Sequence, residues 1–386
     1  MFSSRVPREL EPNRLTQQVR KVRASRRDLL DLTISNPTVA GILYPSSILA
    51  PLANRASERY EPHPLGSRAA REAIARDYRR RGIEIAPDRI VLTASTSEAY
   101  SILFKLLCDP AGDSVMVPVP SYPLFDHLTA LDGVTPVPYP LEYHGRWTVD
   151  GDALDARWTS HVRAVLAVSP NNPTGSILTD SERHGLAERC AARDTALILD
   201  EVFADYPLET AVPRAESPGD ALTFRLGGLS KSAGLPQVKL GWIAVEGPDL
   251  LVRAALDRLE LICDTYLSVS TPVQAAAPQL LSDGAIVRDR ILERLRVNYA
   301  ALRTTAAAFP SIEALHCDAG WSAVLRVPAT RTEEDLVLEL LEMDSVLVHP
   351  GFFFDFDREA FLVVSLLAEP PIFLEAARRI MERAHV

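Results

Sequence analysis

The chain carries no excess of basic charge: 41 Lys and Arg face 51 Asp and Glu, a formal net charge of −10 over 386 residues. With a sequence pI near 5.4, it lacks the electrostatic footprint of a protein that tracks nucleic acid or an anionic membrane. No apolar run reaches the roughly 18 residues needed to span a bilayer. The opening MFSSRVPRELEPNR is too charged for a secretory signal, so a cytoplasmic location is expected. Cysteine is scarce, and Cys108, Cys190, Cys263 and Cys317 are too scattered to form a metal or redox pair; they read as reduced core thiols. No GxGxxG follows an early strand, which argues against a dinucleotide-binding dehydrogenase. Internal repeats and low-complexity segments are also missing, and a composition of 47% hydrophobic and 24% charged residues argues against extensive disorder. At about 100–200 residues per domain, the length suits two domains or three.

What the chain does have is an alternation of short β-branched runs with helical stretches between about 90 and 247, the pattern of an α/β domain with both sheet faces covered. Candidate strands are 90–94, 114–119, 134–139, 164–169, 196–201, 221–228 and 240–246. Helical patterns fall at 67–81, 97–108, 123–131, 180–193, 249–264 and 272–281, and a longer one at 285–308. The tail reads strand, helix, strand, strand, helix, a small α+β unit beside the large one. Thr332 supplies an N-cap for its first helix, followed by Glu333, Glu334 and Asp335 in the first turn. Prolines are numerous, 29 in all, and many fall where strands give way to loops, the places where an α/β fold builds its site.

Four segments carry chemistry. In LTASTSEAY (92–100) a strand passes into a helix through small hydroxyl residues; the Thr96 and Ser97 amides with the Ser95 and Ser97 hydroxyls would seat a phosphate, or Ser95 would simply cap the helix. In SPNNPTG (169–175) prolines stiffen a turn presenting Asn171 and Asn172, which can donate to an oxygen anion or serve the turn alone. ILDEVFADY (198–206) ends an apolar strand on Asp200 and Glu201, costly unless a cation pairs with them. A metal is the rival partner there, but no His or second acidic cluster is near in sequence. In GGLSKSAGLPQVKLGW (227–242) Lys231 occupies a Ser- and Gly-rich loop after a strand, where burial or neighbouring charge can depress an amine's pKa enough for Schiff-base chemistry; alone it would be a surface lysine.

In this order and at these separations, the four segments resemble the class I/II aminotransferases among the pyridoxal-phosphate enzymes of fold type I. The resemblance spans nearly the whole chain, from ISNPT (34–38) to VHPGFFF (348–354). It implies an α/β fold whose large cofactor-binding domain, 40–284, has a mixed, mostly parallel seven-stranded sheet between helices. The small α+β domain would comprise 1–39 and 285–386. It further implies pyridoxal 5'-phosphate as cofactor, no metal, and amino-group transfer between an amino acid and a 2-oxo acid in a homodimer with shared active sites. Lys231 would be the Schiff-base lysine and proton carrier. Asp200 would pair with the pyridine nitrogen, Asn172 would donate to the 3-oxygen, and Tyr122 would stack on the ring. Ser95, Thr96, Ser97, Ser230 and Lys239 would hold the phosphate, with Tyr60 reaching it from the neighbouring subunit. Asn36, Asn172, Arg358 and Trp321 are the substrate-binding candidates.

Three positions depart from the pattern of that family. Phe203 stands where a tyrosine would help stabilise the 3-oxygen, leaving Tyr206 or water to fill the gap. Lys239 replaces an arginine that would clamp the phosphate as a fork. In FLVVSLL (361–367) the place of the arginine for the substrate carboxylate falls on Val363. Arg358 or Arg326 is then expected to swing in, unless the donor lacks a free carboxylate. That absence also leaves a lyase, a decarboxylase or another amino-acid-modifying enzyme as the alternative reading.

Overall fold

The computed structural model describes residues 2–25, 28–209 and 219–385. Helix α1 (Arg14–Ala24) and the short strand β1 (Leu30–Asp31) precede α2 (Arg68–Arg80). The large sheet is then built from β2 (Ile90–Thr93), β3 (Ser114–Val119), β4 (Thr135–Tyr143), β5 (Trp147–Val149), β6 (Val162–Val168), β7 (Ala196–Asp200), β8 (Thr223–Gly228) and β9 (Gly241–Glu246). Between and after these strands come α3 (Thr96–Leu107), α4 (Phe125–Asp132), α5 (Gly151–Arg157), α6 (Asp180–Ala192), the single turn α7 (Leu229–Ser232) and α8 (Asp249–Tyr266). The spatial order is β2-β9-β8-β7-β6-β3-β4-β5. From β8 to β4 neighbouring strands are parallel, and β9 runs antiparallel to both β2 and β8.

The sheet thus has eight strands where seven were expected. The eighth, β5, is a three-residue antiparallel return on β4, too short to show a strand pattern, and it is held partly by the Tyr143–Trp147 ring contact at 5.3 Å. The apolar character of β7, buried along its whole length, follows from its place inside a sheet covered on both faces. Such strands end together, so the loops after β6, β7 and β8 gather at one edge of the sheet.

The helical patterns expected at 272–281 and 285–308 are one element, α9 (Thr271–Ala306). Gly284 suggests a break but is a close approach: a Cβ there would lie 2.6 Å from the Cβ of Ala233. A boundary at 284/285 therefore falls inside an unbroken helix that serves two cores. Ala276, Ala277, Leu280 and Leu281 pack with α2 and Trp242, whereas Val287, Ile291, Leu295 and Leu302 pack with the C-terminal elements.

Those elements are β10 (Glu313–Ala314), β11 (Ser322–Arg326), α10 (Glu333–Met343), β12 (Val346–Leu347), β13 (His349–Pro350), β14 (Phe361–Ser365) and α11 (Pro370–Ala384). Four form an antiparallel sheet in the order β10-β11-β14-β13, and β1 pairs with β12. Leu15, Val22 and Leu32 join the same core, so residues from both ends of the chain share it. Thr332 caps α10 by accepting from Asp335 N at 3.1 Å. Glu333 is buried and accepts from the Phe352, Ala360 and Phe361 amides, tying the 351–361 loop to the helix.

Beneath the large sheet's working edge, Arg225 is fully buried and ion-paired with Glu201 and Glu246. Breaking such a pair leaves uncompensated charge in a medium that solvates it poorly. Arg225→Met should lower the unfolding free energy by about 3–5 kcal/mol, read as a shift in urea midpoint at constant slope. An unchanged midpoint would contradict this account of the pair.

Candidate functional site

Asp200 ends β7 and is 7% exposed. Its Oδ2 accepts from Tyr100 Oη at 2.5 Å and its Oδ1 from Val202 N at 3.0 Å. Burial pushes its pKa up, partly offset by those two hydrogen bonds. No ion pair reaches it among the described residues; Lys231 acts on it only at longer range. A buried carboxylate in this condition calls for a cation from outside the chain.

Lys231 sits in α7, one turn after β8, and faces the same cavity as Asp200, with a volume of about 280 Å³. Its Nζ lies 4.7 Å from the Trp321 ring centroid and 5.6 Å from that of Phe203. Burial against these rings lowers its pKa to about 8, with Asp200 pulling the other way. The amine is therefore far closer to its neutral, nucleophilic form at physiological pH than an ordinary lysine. Thr96, Ser97, Tyr122, Asn172, Phe203, Ser230 and Trp321 line the same cavity. Thr96 and Ser97 open α3, whose first amides have no partner within the helix, beside Gly228. Nearby, a Cβ on Gly241 would come within 2.9 Å of Thr96 N, so glycine is needed for the strand to pass under the helix start.

Other candidates are placed elsewhere. Ser95 caps α3, its Oγ accepting from Glu98 N at 3.1 Å, and does not line the cavity. Lys239 is exposed, in the left-handed region with φ 61°. Asn36 caps the turn Pro37–Val39, its Oδ1 accepting from Thr38 N at 3.0 Å. Tyr60 is 65% exposed. The structure does not bring Arg358 or Arg326 to the cavity: Arg358 is exposed over the Phe361 ring, and Arg326 pairs with Glu313 on the surface. Val363 is buried in an aromatic cluster with Trp147, Phe356 and Phe361. Tyr206 does not fill the gap at Phe203, because its hydroxyl donates to the Lys231 carbonyl and its ring packs on Trp321 at 5.3 Å. Asn171 is structural: it accepts from Ser121 Oγ and donates to Pro120 O and Thr174 Oγ1.

Several lining residues escaped the sequence reading. Tyr100 is one turn into α3 and carries no motif of its own; only helical spacing from Thr96 points it toward the same side. Thr33, Ser35, Ser322, His349 and Ser365 come from distant segments joined by tertiary pairing, such as Ser365 N to Leu32 O at 2.7 Å and the Ser365 hydroxyl to Ile34 O.

The family model for aminotransferases of class I and II matches residues 28–371, and the chain belongs to that family. The glutamate-pyruvate aminotransferase AlaA of Haemophilus influenzae is 25% identical over 95% of this chain and 91% of its own. An alanine aminotransferase of Mycobacterium tuberculosis is 25% identical over 87% and 80%. Among solved structures, an Escherichia coli aminotransferase superposes with a TM-score of 0.87 at 21% identity, covering 99% of this chain and 97% of that one. An alanine aminotransferase from Pyrococcus furiosus gives 0.85 at 24% identity, covering 95% of each. These superpositions show the fold type I architecture, and the named relatives show a transaminase. The family generally depends on pyridoxal phosphate, and the donor set fits that group: a buried carboxylate without a cation, an amine of depressed pKa, and free amides with hydroxyls at a helix start.

Because Tyr100 donates to a charged acceptor, a bond worth about 1.5–3 kcal/mol, Tyr100→Phe should push the Asp200 pKa higher still. Less of the ionised form then remains at neutral pH. Affinity for pyridoxal phosphate, titrated by absorbance at pH 7, should fall about tenfold or more. Unchanged affinity would show that Tyr100 does not support the carboxylate.

Proposed function

We propose that this protein transfers amino groups between a small, uncharged amino acid and a 2-oxo acid with pyridoxal phosphate as cofactor. The observation that carries the reading is the convergence of Lys231, a cation-free buried Asp200 and the α3 N-terminus on one cavity. In this proposal Asp200 holds the pyridine nitrogen in its protonated form, Asn172 donates to the 3-oxygen and Tyr122 covers the ring. Thr96, Ser97 and Ser230 take the phosphate, with Lys239 adding positive charge nearby. When bound, the cofactor supplies an electron sink for the pair left at the substrate Cα on deprotonation. Lys231 Nζ, with its pKa near 8, is matched to taking up and returning that proton near neutral pH. Phe203 and Trp321, flanking the amine, keep bulk water from it.

The substrate's carboxylate requires donors, and among the described residues no arginine lines the cavity. His349 and Trp321 do. His349 lies directly across the strand pair from Val363, and Trp321 Nε1 is buried without a hydrogen-bond partner among the described residues. We assign the carboxylate to these two, with Asn172. Among the described residues no second cation lines the cavity to receive a side-chain carboxylate, which favours a monocarboxylic donor such as the alanine named in one relative. The lyase or decarboxylase alternative is not favoured by relatives that are all named aminotransferases.

A homodimer accompanies this reading. Tyr60 is exposed enough to reach a second copy, and exposed apolar side chains gather in two segments, Val39, Leu43 and Leu49 in one and Leu261, Tyr266 and Leu267 in the other. Four free, buried cysteines suit a reducing compartment such as the cytoplasm.

Mixing the cofactor-loaded protein with alanine should convert its visible absorbance to that of the amino form of the cofactor, and a 2-oxo acid should reverse it. Aspartate and glutamate should be slower by about tenfold or more in kcat/KM, and Lys231→Ala should abolish conversion. Release of ammonia or carbon dioxide without the amino form would refute transamination. His349→Ala should raise the KM for alanine about tenfold, while Arg358→Ala leaves it unchanged. The opposite pattern would return the carboxylate contact to Arg358.

A further inference from the structure

A second cavity, of about 380 Å³, lies behind the catalytic edge of the sheet. Consecutive residues leaving a strand point to opposite sides, and here Asp200 faces the first cavity while Glu201 faces the second. Its walls come from the end of α2, the start of α6, the loop after β7 and the middle of α9, and four arginines, Arg80, Arg81, Arg183 and Arg288, face Glu201, Asp205 and Asp289 in its lining.

These arginines are unequally satisfied. Arg80 is paired with Asp77 at 3.1 Å and Asp205 at 2.5 Å. Glu201 is engaged by Arg225 and, at 3.7 Å, by Arg81. Arg183 is only 5% exposed, yet its Nη1 is buried with no hydrogen-bond partner among the described residues and meets Asp180 only at 4.0 Å, while Nη2 reaches the Leu178 carbonyl at 3.5 Å. Arg288 is 9% exposed, lines the same cavity, and forms no hydrogen bond or ion pair among the described residues. Asp289 also lines the cavity but is exposed at its rim. Two arginines, each nine-tenths or more buried as residues and poorly partnered among the described residues, are costly to keep unless something anionic is brought to them.

We propose that this cavity binds a small phosphate-bearing molecule, its oxyanion gripped by Arg183 and Arg288. Planar guanidinium groups match the geometry of phosphate oxygens and donate in pairs. The volume exceeds that of a single phosphate ion, so the ligand carries a short carbon body toward Ile83, Ile177 and Leu292. The site is separate from the phosphate seat at α3, since the two cavities have no lining residue in common. Its ligand would touch Ser169 and Pro170, just before Asn172, and Glu201, just after Asp200.

The test uses the protein saturated with pyridoxal phosphate, so that the catalytic phosphate seat is already filled. Calorimetric titration at low salt with glycerol phosphate, and separately with inorganic phosphate, should give one saturable site with a Kd on the order of 0.1–1 mM, tighter for glycerol phosphate. Equal or tighter binding of inorganic phosphate would overturn the carbon-body assignment. Arg288→Met and Arg183→Met should each weaken binding about tenfold or more, and Arg358→Met should not. If Arg183→Met fails to fold, Arg288→Met decides alone. No saturable binding to the cofactor-saturated protein, or binding indifferent to Arg288→Met, would overturn the site.

Discussion

The arrangement turns on one carboxylate. Asp200 is carried to the end of a buried strand, where ionisation is opposed by loss of water, and among the described residues it is held ready by a tyrosine hydroxyl and a backbone amide, with no ion pair. An unpaired charge in such a place is destabilising by several kcal/mol. In the proposed reading, the compensating charge comes with the cofactor that fills the cavity. Lys231, whose burial weakens its hold on a proton, stands across the same space. The two perturbed groups face one cavity, one shifted up and one shifted down by the same low-dielectric surroundings.

The sheet supplies the positioning. Parallel neighbours β6, β7 and β8 deliver Asn172, Asp200 and Lys231 to a common edge through the short loops that follow them, and α3 directs its free amides at the same space. Opposite this edge, the C-terminal sheet contributes Trp321, Ser322, His349 and Ser365. The long helix α9 belongs to both cores, so the two halves of the site are held by one rigid element as well as by the pairing of chain ends. Behind the edge, Arg225 compensates Glu201, which lets two adjacent carboxylates be buried with opposite assignments, one closed by an internal partner and one left open.

Much of this was legible in the sequence because strand ends and their loops are local. The apolar runs gave seven strands of the large sheet, and the segments around Ser97, Asn172, Asp200 and Lys231 marked the cavity's inner wall. What was not legible depends on distant pairing. Tyr100 closes the segment LTASTSEAY without a role of its own in it; its meaning comes from its hydrogen bond to Asp200 at the end of the strand Ala196–Asp200. His349 and Ser365 reach the cavity only because β13 pairs with β14 and the latter is stitched to residues 32–34. Arg358 was attractive as a nearby charge, but its place in an exposed turn turns it toward solvent and the Phe361 ring. Gly284 is a poor helix former, yet it continues α9, where its lack of a side chain lets Ala233 approach.

The central claim is that Asp200 receives its counter-charge from the cofactor's ring. Nitrogen-15 NMR of the protein loaded with ring-labelled pyridoxal phosphate tests this most directly. The account predicts a protonated pyridine nitrogen in the wild type across the neutral pH range and an unprotonated one in Asp200→Asn. A nitrogen that is unprotonated in the wild type, or unchanged by the substitution, would contradict it.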